Sequence, residues 1–62
     1  MGKALVKVEL SADQAEALAQ FCKRVSFSDL KSLSSGESEA YDMLDAIDRL
    51  RAALAEAGYN PR

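Results

Sequence analysis

Two periods share this chain. From Ala4 to Leu10 the sequence ALVKVEL alternates, with Val6, Val8 and Leu10 on one side and Leu5, Lys7 and Glu9 on the other. That period of two is the pattern of a β-strand. From Ser11 onward the apolar positions recur at three and four instead. Ala15, Leu18, Cys22 and Val25 form a stripe that Phe21 widens, while Asp13, Glu16, Gln20, Lys23 and Arg24 take the wet side. Ser11 and Gln14, three residues apart, make a capping box in which each side chain satisfies an orphan backbone N–H, so a helix is predicted over about 12–25.

The next segment, SFSDLKSLSSGES at residues 26–38, holds six serines and one glycine and interrupts the helical pattern. Phe27, Leu30 and Leu33 still recur every third residue, which predicts a packed connector over 26–35 with a short helical turn laying three apolar side chains on the core. Ser34 or Ser35 is expected to cap the last helix, with Glu37 closing a capping box on Ser34. That helix is predicted over about 36–57, because Ala40, Met43, Ile47, Leu50, Leu54 and Ala57 alternate spacings of three and four and Leu44 thickens the stripe. Gly58 then offers a left-handed stop, Tyr59 can fold back on the last turn, and Pro61 forbids continuation in the tail 58–62.

The expected fold is mostly α with one N-terminal β-strand over about 4–10, a β-α-α chain forming a single domain over residues 1–62. A strand of about six residues is not stable alone, and even a two-stranded hairpin is marginal in water. Nothing later in the chain supplies a second strand. Three partners are open: the same strand of another copy, the sheet edge of a different protein, or water. A second copy also eases the size problem, since a chain of 62 residues buries only about 60% of its unfolded surface. The strand is therefore expected to pair through Val6, Val8 and Leu10 across a homodimer.

Composition narrows the chemistry. Hydrophobic residues make up 48% of the chain, but alanine supplies much of that, with two Phe, two Tyr and no Trp. The net charge is −2; residues 1–33 carry five bases and four acids, and residues 34–62 carry three bases and six acids. No overall positive field recruits nucleic acid or an anionic membrane, and the acidic second half suits a basic partner. Cys22 is the single cysteine, so no internal disulfide forms, which fits a reducing cytoplasm and a buried thiol acting as a small hydrophobe. An apolar run of the ~18 residues that span a bilayer is missing, as is a signal-peptide pattern, so a cytoplasmic location without membrane contact is expected.

The chain has no histidine, and Gly2, Gly36 and Gly58 are isolated, which leaves neither a histidine-activated nucleophile nor a phosphate-cradling loop. The expectation is a non-catalytic protein with no cofactor and no metal. Glu37, Glu39, Asp42, Asp45 and Asp48 share the last helix, but one straight helix surface diverges its oxygens where a hard cation needs them to converge. They are read as an acidic partner-binding face.

The stretch VKVELSADQAEALAQF, within residues 4–25, resembles the strand and first helix of the ribbon-helix-helix DNA-binding proteins. That resemblance implies a transcriptional regulator or antitoxin in which Lys7, between Leu5 and Glu9, contacts DNA. Phosphate neutralisation supplies most of such binding, so a dimer of net-negative chains makes nucleic acid the weaker partner. The stretch EAYDMLDAIDRLRAALAEAGYNPR resembles small phage and mobile-element proteins of proteobacteria, anti-CRISPR inhibitors among them. This second resemblance implies an inhibitor that occludes a surface of a host defence complex, with the acidic face competing for a basic, nucleic-acid-binding groove.

Overall fold

A computed structural model describes residues 2–60 and contains three helices: α1 at Ala12–Arg24, α2 at Phe27–Leu33 and α3 at Glu37–Glu56. Each boundary has a local cause. At the start of α1, Gln14 donates its backbone N–H to Ser11 Oγ at 3.1 Å and Ser11 donates its own to Gln14 Oε1 at 2.9 Å. This is the reciprocal box that the sequence predicts. Asp13 in the first turn and Lys23 and Arg24 in the last complement the helix dipole.

The connector is more regular than expected. Ser26 breaks the chain after Val25 and opens α2 with a second capping box: Asp29 N–H to Ser26 Oγ at 3.1 Å, and Ser26 N–H to Asp29 Oδ2 at 3.0 Å. Ser34 closes α2 rather than opening α3; its hydroxyl donates to the carbonyls of Lys31 and Gly36, each at 2.9 Å. The N-cap of α3 is Gly36, which has no side chain to offer. The expected Ser34–Glu37 box does not form. Instead Glu39 reaches back and accepts the Ser35 N–H at 3.0 Å.

The far end of α3 follows the glycine rule closely. Gly58 has φ of 101°, its N–H reaches the Ala55 carbonyl at 3.0 Å, and the Tyr59 N–H reaches the Leu54 carbonyl at 2.8 Å. This pair of bonds is a Schellman stop, and the Tyr59 ring completes it by packing on the cluster that contains Leu54.

The helices build one seam. α3 packs against both α1 and α2, which do not pack on each other. Ala15, Ala19, Cys22 and Leu54 form the buried cluster between α1 and α3, with Leu18, Ile47 and Tyr59 against it. Leu30 and Ala40 are also buried, and the Phe27 and Tyr41 rings meet at 4.8 Å between centroids. Phe27 of α2 thus lies near the start of α3, whereas Tyr59 beyond its end packs on α1. The broken pair α1–α2 therefore runs back along α3. Their lengths match, 13 and 7 residues against 20.

Two parts of the apolar stripes turn out differently. Ala19 is only 1% exposed, so the buried face of α1 centres on small residues and leaves Phe21 half exposed. Leu33 does not reach the core; it is 75% exposed. On α3, Ala40 and Leu54 are buried and Met43, Leu44 and Ile47 half-buried, while Leu50 and Ala57 lie at the surface.

The N-terminal expectation is overturned. Among the described residues there is no strand, and residues 2–10 form an exposed arm without secondary structure. The β-α-α fold and the dimer paired through a Val6, Val8 and Leu10 ladder are both corrected by this finding. An alternating pattern specifies which faces a strand would present, but ladder hydrogen bonds need a second strand, and this subunit has none to offer.

Two substitutions test this account. Ala40 is 0% exposed, so Ala40→Leu forces a bulky branched side chain into a closed seam and is expected to destabilise by about 1–3 kcal/mol. An added Cβ at Gly58 meets nothing within 4 Å, so the cost of Gly58→Ala, about 1 kcal/mol, comes from the left-handed backbone alone. Thermal unfolding followed by circular dichroism measures both.

Candidate functional site

The five acids read as a partner-binding face, Glu37, Glu39, Asp42, Asp45 and Asp48, are all exposed on α3, but they do not form one patch. Asp42, Asp45 and Asp48 follow one another at intervals of three, which places neighbours about 5–6 Å apart on a winding ribbon. Arg49, four residues after Asp45, shares that side. Glu37 and Glu39 sit in the first turn, and Glu39 is engaged with the Ser35 N–H. The ribbon lies on the side of α3 away from the buried Ala40 and Leu54, and among the described residues nothing covers it. Among the described residues no three His, Cys, Asp or Glu side chains gather as a metal site requires.

A second surface was not foreseen from the sequence. In the angle between α1 and α2 lies an open groove of about 680 Å³, with Phe21, Val25 and Leu33 as its large apolar side chains. Arg24, Asp29, Gln20 and Ser32 supply its polar edge. α1 faces α3 through Ala15, Ala19 and Cys22, so the groove occupies the opposite side of the molecule from the seam. The sequence signal for it was the serine–aspartate spacing at Ser26 and Asp29, a capping box whose break in the helix leaves Leu33 outside the core.

The third surface is the arm. Leu5, Val6 and Val8 are 86%, 75% and 67% exposed, and Lys7 stands between them in water. Among the described residues, no helix is long and apolar enough to cross a membrane.

Two titratable groups are perturbed. Hydrogen bonds from Ser26, its backbone N–H first and its side chain second, hold the Asp29 carboxyl below the usual carboxylate range. Burial pushes the Cys22 thiol up, against the pull of the nearby Arg51 guanidinium and a backbone hydrogen bond. A protonated, buried thiol is a poor nucleophile, so Cys22 acts as packing.

The model of a family of unknown function, DUF7706, matches residues 1–62. This chain belongs to that family. No curated protein and no solved structure matches it. The DUF7706 match runs through the arm as well as the helices, so all three surfaces fall inside the matched region.

The Asp29 shift carries a pH dependence with a definite sign. Its folded pKa is lowered, so its contribution to stability is present above the unfolded pKa and is lost as pH falls through the carboxylate range. Acidification below about pH 4 is expected to unfold the wild-type DUF7706 chain more steeply than Asp29→Asn, whose amide oxygen still accepts the Ser26 N–H but does not titrate. Denaturation midpoints at a series of pH values provide the comparison.

Proposed function

We propose that this protein works by occupying a surface of another macromolecule, as an inhibitor that covers a basic, nucleic-acid-binding groove of a bacterial defence complex. The observation that supports this reading most directly is the ribbon Asp42, Asp45 and Asp48. It runs along the uncovered side of the longest helix, in a chain of net charge −2. Carboxylates at that spacing offer a basic groove a row of negative charge on a rigid rod, which is the electrostatic half of nucleic-acid mimicry. The rigidity matters, because a ribbon already ordered on a helix loses little conformational entropy on docking.

The ribbon is a recognition surface and not a reaction centre. Its three carboxylates are exposed along one helix. The resemblance read from residues 39–62 of the sequence to small mobile-element proteins is what proposes the biological setting. Among such proteins, inhibitors of defence systems act by occlusion, which fits a chain whose exposed features are a charged ribbon and apolar contact surfaces.

The test uses a bacterial strain with an active CRISPR interference system and a phage that it targets. Expression of the wild-type chain is expected to raise the plating efficiency of the phage. Asp42→Lys with Asp45→Lys is expected to remove at least about tenfold of that gain, corresponding to 1.4 kcal/mol or more of lost binding, while far-ultraviolet circular dichroism stays unchanged. Equal protection by the reversed chain would exclude the ribbon, and no protection by the wild type would exclude this class of target.

A further inference from the structure

The subunit is too open for a finished monomer of its size. A compact protein of 6.7 kDa exposes about 3,900 Å², whereas this chain exposes 5188 Å². The radius of gyration is 12.5 Å, against about 10.5 Å expected for its length. The excess of about 1,300 Å² exceeds the ~800 Å² per partner that a stable association buries. Exposed large apolar side chains gather in two places, the arm with Leu5, Val6, Val8 and Leu10, and the α1–α2 groove with Phe21 and Leu33.

We infer that residues 2–10 of one copy dock in the α1–α2 groove of a second copy, and that the two copies exchange arms reciprocally. The inference stands apart from the proposed inhibitory role, which uses the other side of the molecule. Neither element is covered in its own subunit, and each supplies what the other lacks: an apolar strip and an apolar slot. With Val6, Val8 and Leu10 turned into the groove, Lys7 and Glu9 lie along its edge, where Asp29 and Arg24 provide the opposite charges. The occupant is not the subunit's own arm. Ser11 is locked at φ −67° and ψ 162° by its capping box, and every described residue before it is exposed. To reach the groove in its own subunit, the arm would have to reverse beside Ser11 and run back along α1. A second copy needs no such reversal. Reciprocal docking also closes the assembly at two copies, because each arm and each groove is used once. The contact is side chain into helical groove, with no ladder between arms.

Sedimentation equilibrium of the full chain is expected to give twice 6.7 kDa, with a dissociation constant in the micromolar range or tighter, and a monomer at about 100 μM would overturn the inference. Val6→Asp with Val8→Asp, and separately Phe21→Asp with Leu33→Asp, are each expected to weaken dimerisation by at least about tenfold. These four side chains are exposed or half-exposed in the subunit, so helix content by circular dichroism is expected to persist in both variants. A wild-type dimer in either variant would refute the pairing. The decisive arm of the experiment mixes the single variants Val8→Cys and Leu33→Cys in equal amounts under mild oxidation. Docking of arm in groove makes the disulfide between unlike variants the main product. A predominance of Val8→Cys joined to itself would show arms meeting arms, and no crosslink beyond the rate for free thiols would show that the arm serves a different protein.

Discussion

The seam of small side chains along α3 sets the form of the molecule. Ala15 and Ala19 on α1 and Ala40 on α3 let helix backbones come close, and closeness gives many weak dispersion contacts from little volume. The same choice limits how much can be buried. Among the described residues the seam takes in only Leu30 and Leu54 as large buried side chains, and Phe21, Leu33, Tyr41 and Leu50 lie at the edges. α3 alone joins α1 to α2, and the resulting body is 16 Å in its smallest extent. With a helix about 10–12 Å across, that thickness leaves no space for a further layer that would cover those edges.

The break at Val25 and Ser26 is the second consequence of packing on one rod. A single helix opposite α3 would place its apolar positions along one line. Interrupting it after 13 residues, and restarting it for 7, turns α2 so that Leu30 and Phe27 approach Ala40 and Tyr41. The restart is held locally by Ser26 and Asp29, whose two bonds satisfy donors that would otherwise point at the end of α1. The groove is the outer side of this bend. It exists because the chain turns there, and Phe21 lines it because helical phase places that side chain away from Ala15, Ala19 and Cys22, which face α3.

What could be read in the sequence was local. The Ser11–Gln14 box, the stop at Gly58 with Tyr59 folding back, and the existence of the first and last helices depend on groups a few residues apart, and the structure has them. The failures involve choices between partners. ALVKVEL has the alternation of a strand, yet alternation describes side-chain faces and says nothing about whether a ladder partner exists. Ser34 and Ser35 each suited the start of α3; the structure uses Ser34 to finish α2, its hydroxyl engaged with the Lys31 and Gly36 carbonyls. The stripe on α1 reads in the sequence as Ala15, Leu18, Cys22 and Val25 widened by Phe21; Ala15 and Cys22 are buried, but Phe21 is exposed and Ala19, outside that stripe, is the most buried residue of the helix. Hydrophobicity ranks residues by the area they could bury, and a closely approaching helix selects by size instead. The acidic face was legible only as composition: helical geometry keeps Asp42, Asp45 and Asp48 together and sends Glu39 to the Ser35 N–H.

The two proposed contacts are compatible because they use opposite sides. α1 turns Ala15, Ala19 and Cys22 toward α3 and the groove away from it, while α3 turns Ala40 and Leu54 inward and its acidic ribbon outward. Joining two copies through their grooves therefore places both α3 helices, and both ribbons, on the outside of the pair. The charges then remain solvated, so dimer formation carries no cost for bringing like-charged ribbons together. An arm that is unstructured in the free subunit is consistent with this arrangement. Nine residues with four large aliphatic side chains cannot bury enough of them against themselves to offset the entropy of ordering, and they gain that burial only against a surface built elsewhere. The alternation that failed to make a strand still has a use. It puts Val6, Val8 and Leu10 on one side of an extended chain, and this is the requirement for filling a groove from above while Lys7 and Glu9 stay at the water boundary.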